Sequence, residues 1–526
     1  MTFDPGTLDA PSRLADLEPA APMPPVPVAS RGTGKTAVIV GAGIGGLASA
    51  IHLAHAGYQV TLLERHTMPG GRNGRWESEG FVFDTGPSLM LMLEYWHKLF
   101  AMVGRKLEDY LDVVQVLPNY NVHFADGTVL EMTPQLNVLL EGMEKIEPGC
   151  GPRVLEYLAR TKRMYDSGLA FISKNMTSPL DMVSPSRLGS LANLGALGDL
   201  QKLIAKYVKD ERLQQALSFQ ALYLGLSPYD ALAIYALLPY TEIGGGVHYP
   251  MGGMYELPLA LEKVGREMGV QYRYGAKVAE LEKSADAITA VRLEDGTRVA
   301  GDVVLVNADL PYAYQSLLGE PYPKIEEKRF SCSVVLMYLG VKKEFANLEH
   351  HNFVVAKDMR EACRLLFEEH AMPEDPPYYV VATSRTDKSA APEGCENLFV
   401  LVLAPSQHPD PARRIDWAVE GPKVEARMLE KLERWAMPGL RENIVTKRLV
   451  TPTDFTLDYG NLRGEAFGLA HNLMQIGAFR PQNRHPKYGN LFFVGQSTHP
   501  GCGLPMALIS AECVAERIVA ERPATG

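Results

Sequence analysis

The sequence is poor in the features that mark several large protein classes. Its six cysteines (Cys150, Cys332, Cys363, Cys395, Cys502 and Cys513) are scattered and form no C-x-x-C pair. That excludes a disulfide framework and a zinc ribbon, and it fits a reducing compartment. Basic residues are not in excess: 52 Lys and Arg stand against 62 Asp and Glu, a net charge of −10. Nucleic acid is therefore not an expected partner, nor is broad electrostatic binding to anionic lipid. No apolar run approaches the ~18 residues of a spanning helix. The nearest, Ala216 to Tyr240, is interrupted by Gln220, Ser227, Pro228 and Asp230. Residues 1–34, rich in Pro and Ala with early acids, lack the basic start and apolar block of a secretory signal and read as a disordered leader. Serine and cysteine triad signatures are missing, as is metal-ligand spacing, so no metal is expected.

What is present is length, an ordinary 46% of apolar residues, and glycine at particular spacings. At 526 residues the chain is too long for one core and should hold two or three domains. Lys35 to Glu64 organises the rest. A short apolar strand, Thr36 to Val40, feeds Gly41, Gly43 and Gly46 in G-x-G-x-x-G spacing. A helical pattern with Leu47, Ile51 and Ala54 on one face stops at Gly57, and a second strand, Gln59 to Leu63, ends at Glu64. In this arrangement the first glycine permits the turn, the second lets backbone approach a pyrophosphate, and the third lets helix pack on strand. The helix N-terminus offers free N–H groups and a positive dipole end to phosphate. Glu64 can accept from a ribose diol, which favours FAD or NAD over NADP; Arg65 beside it is the one feature that favours a 2′-phosphate.

Further along, Pro69-Gly70-Gly71-Arg72 gives backbone able to fold closely around a cofactor, with Arg72 against its phosphate or ring, or else in a solvated loop. Gly80 to Ser88 reads as a strand entering a Gly-Pro turn. Asn121–Ala125 and Thr128–Met132 flank Asp126-Gly127, a hairpin signal. Helices are expected over Leu136–Ile146, Pro152–Met176, Leu200–Leu224, Tyr255–Met268 and Pro422–Trp435. Leu188, Leu191, Leu194 and Leu197 form a stripe that suits either a core face or a membrane surface. Val270–Tyr274, Lys277–Leu281 and Val303–Val306 return the chain to α/β character. Ser333–Gly340, Asn352–Ala356, Tyr378–Thr383 and Asn397–Leu403 suggest a second sheet. Finally Leu491–Val494 runs into Gly495-Gln496-Ser497-Thr498-His499-Pro500-Gly501-Cys502-Gly503 and a helix over Pro505–Ala520, again strand, glycine-rich turn and helix N-terminus.

These segments together resemble the carotenoid desaturases of the bacterial phytoene desaturase type. The resemblance rests on GAGIGGLASAIHLAHAGYQVTLLE, PGGRNGRWESEGFVFDTGPS, SFQALYLGLSPYDALAIYALLPY, GGGVHYPMGGMYELPLAL and LFFVGQSTHPGCGLPMALISAECVAERI, and it covers about residues 35–520. It implies an α/β architecture: a glutathione-reductase-like Rossmann domain holding FAD, discontinuous in sequence (35–95, 241–310 and 465–526). It also implies an α+β substrate domain (96–150 and 311–464) and a helical, membrane-facing insertion (151–240). The implied cofactor contacts are Gly41, Gly43, Gly45 and Gly46 at the pyrophosphate and Glu64 with Arg65 at the ribose. Gly71 and Arg72 would lie near the flavin, Val278 at the adenine end, and Gly495, Thr498, Gly503, Pro505 and Met506 along the ribityl chain and ring. Two departures from the family pattern are Ser88, where Gly-Pro-Thr is common, and Cys502, where a small residue is usual.

The resemblance further implies a hydride moving from an allylic carbon to flavin N5, and a long apolar channel for an acyclic polyene. His248 and His499 lie in matching motifs and are the candidate proton acceptors, with a structural role as the alternative; the His350-His351 pair reads as surface. A ketolase, a cis–trans isomerase, an amine oxidase and an FAD-bearing binder without turnover remain alternatives. The electron acceptor would be a quinone or oxygen. The enzyme would be cytoplasmic and peripherally membrane-associated, docking through residues 151–240, where Arg187, Lys202, Lys206 and Lys209 flank the leucine stripe.

Overall fold

The structure, a computed structural model, describes residues 34–182 and 198–524. Thr36–Val40 (β1) is buried on both faces because its alternate residues meet different layers. Ala37 and Ile39 pack with helix Ile44–His55 (α1) and helices Glu256–Glu267 and Leu504–Glu521. Val38 and Val40 pack against a three-stranded antiparallel sheet, Val278–Lys283, Ile288–Leu293 and Arg298–Val299. With Gln59–Leu63 (β2), β1 belongs to a five-stranded parallel sheet in the order Leu491–Phe493, Val303–Val306, β1, β2, Gln271–Arg273. Strands distant in sequence thus build one nucleotide-binding layer.

A second, seven-stranded sheet runs Ile444–Val450, Ser333–Val341, Glu396–Ala404, Tyr378–Val381, His351–Val354, Tyr120–His123, Val129–Met132. All four strands expected between Phe330 and Ala404 lie in it, as does the Asp126-Gly127 hairpin. Its period-2 alternation again sorts the faces. Val335, Met337 and Leu339 face helix Trp417–Trp435 through Val424, Met428 and Leu432. Val334, Leu336 and Tyr338 face the other way, with Phe353, Tyr379 and Phe399. Hairpin Arg75–Ser78/Phe81–Asp84 lies early in the chain, yet Phe81 and Phe83 pack with this second face rather than with the parallel sheet.

Helix Gly151–Ile172 forms as expected. The single helix expected over Leu200–Leu224 is instead three pieces, Leu200–Ile204, Glu211–Ala216 and a 3₁₀ turn Phe219–Leu224. Two aspartates cap the first two pieces. Asp199 caps the first piece by accepting from Lys202 N, and Asp210 restarts the chain by accepting from Arg212 N. Glu147 fixes the turn between them by accepting from the Lys209 and Asp210 amides. Leu188, Leu191, Leu194, Leu197 and Arg187 lie outside the described residues.

Backbone approaches backbone very closely where β1 meets α1. A Cβ on Gly46 would stand 2.0 Å from the Gly41 carbonyl oxygen, whereas one on Gly43 would meet only the tip of the Asn307 side chain, at 2.9 Å. Gly46→Ala is therefore expected to cost at least ~1–3 kcal/mol, and Gly43→Ala much less. Thermal melting of the flavin-free proteins checks the contrast.

Candidate functional site

A single cavity of about 550 Å³ begins at the β1–α1 turn and ends on the inner face of the second sheet. At one end its wall is Gly41, Gly43, Gly45, Glu64, Arg65, Ala276 and Val278; next come Gly71, Arg72, Asn307, Asp309, Gly495, Gln496, Gly503 and Pro505. Beyond these the wall is apolar and aromatic, with Phe219, Leu222, Tyr223, Leu336, Tyr338, Phe353, Tyr379, Phe399 and Leu403.

Two helix N-termini open on the first part. Gly43 is the N-cap of α1, whose first turn holds no acid, so its amides remain available to an anion. Gly503 caps helix Leu504–Glu521 at φ +115°, a conformation other residues rarely adopt. Glu64 is buried at the tip of β2. One carboxylate oxygen accepts from Ala42 N at 2.7 Å and the other from His66 N at 2.9 Å, which holds the group in place with lone pairs left over. Arg72 does not extend freely. It donates to the Ala466 carbonyl, to Gln496 Oε1 and to Asn461 Oδ1, tying the early glycine loop to the C-terminal one.

Gly46, Thr498 and Met506 are not in the wall. Gly46 serves the strand–helix contact; the Thr498 hydroxyl donates to the Gly495 carbonyl and so shapes the loop. His248 and His499 are not in the wall either. His248 sits half-buried on strand Val247–Pro250, paired with Val113–Val116. His499 meets the Ile172 carbonyl at 3.1 Å, and burial lowers its pKa to about 4, so it is neutral. The His350-His351 pair, expected at the surface, is 3% and 0% exposed. The polar neighbours in sequence misled the reading: His351 opens a strand of the second sheet whose partner, Val381, lies 30 residues on in the chain and covers it.

Several wall residues carried no signal in the sequence. Asn307 ends strand Val303–Val306, and its amide fills the space that the missing side chains of Gly43, Gly45 and Gly495 leave, each within 2.9 Å of a notional Cβ. Asp309 accepts from Ser497 and also interacts with the Gln496 side chain, while Glu465 Oε1 nearby has no partner. Burial raises the pKa of both Asp309 and Glu465, their mutual repulsion adds to this for Glu465, and Arg72 opposes it. Arg480, 1% exposed, donates to the carbonyls of Leu469, Gln475, Gln496 and Thr498 and clamps the C-terminal loop. Only assembled loops reveal such a group. Burial pushes the Cys502 thiol up to about 11, so it stays protonated in the wall. Among the described residues no group of three or more His, Cys, Asp or Glu is placed to hold a metal.

A glycine-walled cleft at the end of a parallel sheet, open to an apolar face of a second sheet, defines a two-domain flavoprotein oxidoreductase. Solved structures agree on the fold. An oxidoreductase from Methanosarcina mazei superposes with a TM-score of 0.62 at 17% identity, covering 91% of this chain and all of that one. Putrescine oxidase gives 0.60 at 16% identity, covering 92% and 99%. Residues 44–519 match the family described as flavin containing amine oxidoreductase. A zeta-carotene-forming phytoene desaturase from Myxococcus xanthus is 42% identical over 498 residues, 94% of this chain and 95% of its own. A phytoene dehydrogenase from Streptomyces griseus is 37% identical, covering 92% and 95%. A 4,4'-diapolycopene oxygenase from Methylomonas is 32% identical, covering 92% and 98%. The chain belongs to the flavin-containing amine oxidoreductases and, within them, to the carotenoid desaturase family; it is an oxidoreductase and FAD is its cofactor.

Behind the aromatic wall, Glu242 accepts from the Tyr120 hydroxyl and from Gln220 Nε2 at 3.3 Å, fully enclosed. Burial raises its pKa from 4.5 to about 7. Between those values the folded protein keeps a proton that the unfolded chain has released, so stability falls as pH rises from ~4.5 to ~7. Glu242→Gln should reduce the fall, seen as a smaller drop in urea midpoint between pH 5 and pH 8 than in the native protein.

Proposed function

We propose that the protein desaturates an acyclic carotene, phytoene or a later intermediate, in carotenoid biosynthesis. The observation that carries this reading is the continuity of one cavity from a nucleotide-type wall to an apolar, aromatic one. A polyene has no charge to pair, so its site should be shape and apolar surface rather than a set of ionised groups. The names of the similar desaturases support the same substrate class.

The residues present fit FAD. Gly41, Gly43, Gly45 and Gly71 present backbone to the cavity beside the α1 N-terminus, whose first turn carries no side-chain cap and no acid, as a pyrophosphate requires. Glu64 takes the adenosine ribose, with Arg65 and Val278 toward the adenine. Gly495, Gly503 and Pro505 would border the ribityl chain and ring, with the Asp309 and Gln496 side chains beside them in the wall as polar contacts. When bound, FAD supplies a two-electron hydride acceptor. The chain's own work is to align the polyene along Leu336, Tyr338, Phe353 and Phe399 and to keep water from it. The electron acceptor would be a quinone or oxygen.

Such a substrate resides in lipid, and no described helix is long and apolar enough to cross a membrane. Peripheral attachment follows. Leu180 in the short helix Pro179–Met182 is 76% exposed, and Met474 and Phe479 are 63% and 37% exposed. The turn carrying Phe479 packs against that helix, so these side chains form one apolar edge.

Two measurements test the reading. FAD-loaded protein mixed anaerobically with phytoene should bleach its flavin and yield longer polyenes. Persistent flavin colour sinks the desaturase assignment, and a carbonyl-bearing product in air points to the oxygenase alternative. Leu180→Asp with Phe479→Asp should lose most flotation with liposomes while retaining flavin; undiminished flotation places docking elsewhere.

A further inference from the structure

Loss of a hydride from a carotene leaves a cation that must also lose a proton from the adjacent carbon. The expected histidines His248 and His499 are outside the cavity. Most polar groups in or behind its apolar wall lead nowhere. The Tyr338 hydroxyl ends on the Thr85 carbonyl at 2.9 Å, the Tyr223 hydroxyl has no partner, and Glu242 is reached through Tyr120 and Gln220, neither of which is in the wall.

One chain of groups is different. Ser88 and Tyr379 both line the cavity, their oxygens 2.9 Å apart, and the Tyr379 oxygen lies 2.7 Å from His351 Nδ1. Phe353 stacks on the Tyr379 ring at 4.2 Å and 9°, fixing its direction. The His351 ring is fully buried, its Nε2 has no partner, and the His350 ring lies 4.1 Å away with Nδ1 2.6 Å from Thr386 Oγ1. Burial and His350 disfavour the His351 cation, so the resting ring is neutral, and in the tautomer with its proton on Nε2 the Nδ1 accepts from Tyr379; Asp387 acts on His350 in the opposite, cation-favouring direction.

We propose that Ser88, Tyr379 and His351 form the proton relay of the desaturation. This rests on the desaturase reading above. The C–H bond next to the cationic carbon breaks, and its electron pair becomes the second bond of the new C=C. The proton passes to Ser88 Oγ, the Ser88 proton to Tyr379 Oη, and the Tyr379 proton to His351 Nδ1. The substrate thus loses a hydride, taken up by the oxidised flavin, and a proton, left on the imidazole. Ser88 and Tyr379 are catalytic residues here; His351 acts through Tyr379.

The test uses full-length FAD-loaded protein, anaerobic stopped-flow appearance of the longer polyene from phytoene, and polyene affinity from its absorption shift on binding. Tyr379→Phe keeps the ring and its stacking but removes the relay. It is expected to slow polyene formation about 100-fold, as is Ser88→Ala, with flavin content and polyene affinity unchanged. The solvent deuterium isotope effect of the native enzyme on polyene formation should vanish in Tyr379→Phe. Native-rate polyene formation in either variant overturns the relay, as does a loss explained by weaker polyene binding. If the native enzyme itself neither bleaches nor forms the polyene, the desaturase reading fails instead.

Discussion

The structure depends on how closely α1 can approach β1. That contact leaves no room for a side chain on Gly46, because the Gly41 carbonyl occupies the place. Once it forms, the first turn of α1 is aimed into the cleft with its amides unpaired, and Glu64 at the end of β2 comes beside it, its carboxylate anchored by the Ala42 amide. Asn307 then wedges between glycines from two remote parts of the chain. The first and last segments of the nucleotide-binding layer are thereby held to a common geometry. Arg72 repeats this on the other side of the cleft through Gln496 and Asn461.

This end of the molecule was legible in the sequence because its determinants are local. Glycine spacing, a five-residue apolar strand and an acid at the next strand's end lie within 30 consecutive residues, and each acts through its immediate neighbours. Helix Leu504–Glu521 and the strand before it were legible for the same reason. Six of the seven strands of the second sheet could be found one by one, but the edge strand Ile444–Val450, with its polar Thr446, Lys447 and Arg448, was missed. The order of the strands could not be found, since Tyr120–His123 pairs in parallel with His351–Val354, more than 200 residues away.

The misreadings have the same origin. His350-His351 looked solvated because its sequence neighbours are polar, yet burial there is decided by pairing with Val381 and by Tyr379 from the neighbouring strand. Residues 200–224 have helical composition throughout, and the first break comes where the Asp210 side chain caps a new helix instead of letting the old one continue. His248 and His499 were attractive because their motifs border the site. In the fold, however, the strand of His248 pairs with Val113–Val116, and His499 turns to the end of helix Gly151–Ile172.

The division of the cavity follows from what its two occupants require. A dinucleotide needs amides, a carboxylate and space at backbone level, which a few glycines in a strand–turn–helix unit supply. An acyclic polyene needs a long surface without competing polar groups, which the alternate residues of a broad sheet supply. Period-2 geometry gives that sheet a second face for its own helix core, so Val334, Leu336 and Tyr338 can vary in bulk without touching Val335, Met337 and Leu339. The two requirements meet where Ser88 and Tyr379 stand in the wall, and there burial makes each hydroxyl seek a protein partner rather than water. A polar chain leading from an apolar surface to a neutral imidazole is costly unless every link is hydrogen-bonded. That it is bonded as far as His351 Nδ1 separates this chain from the dead ends at Tyr338 and Tyr223.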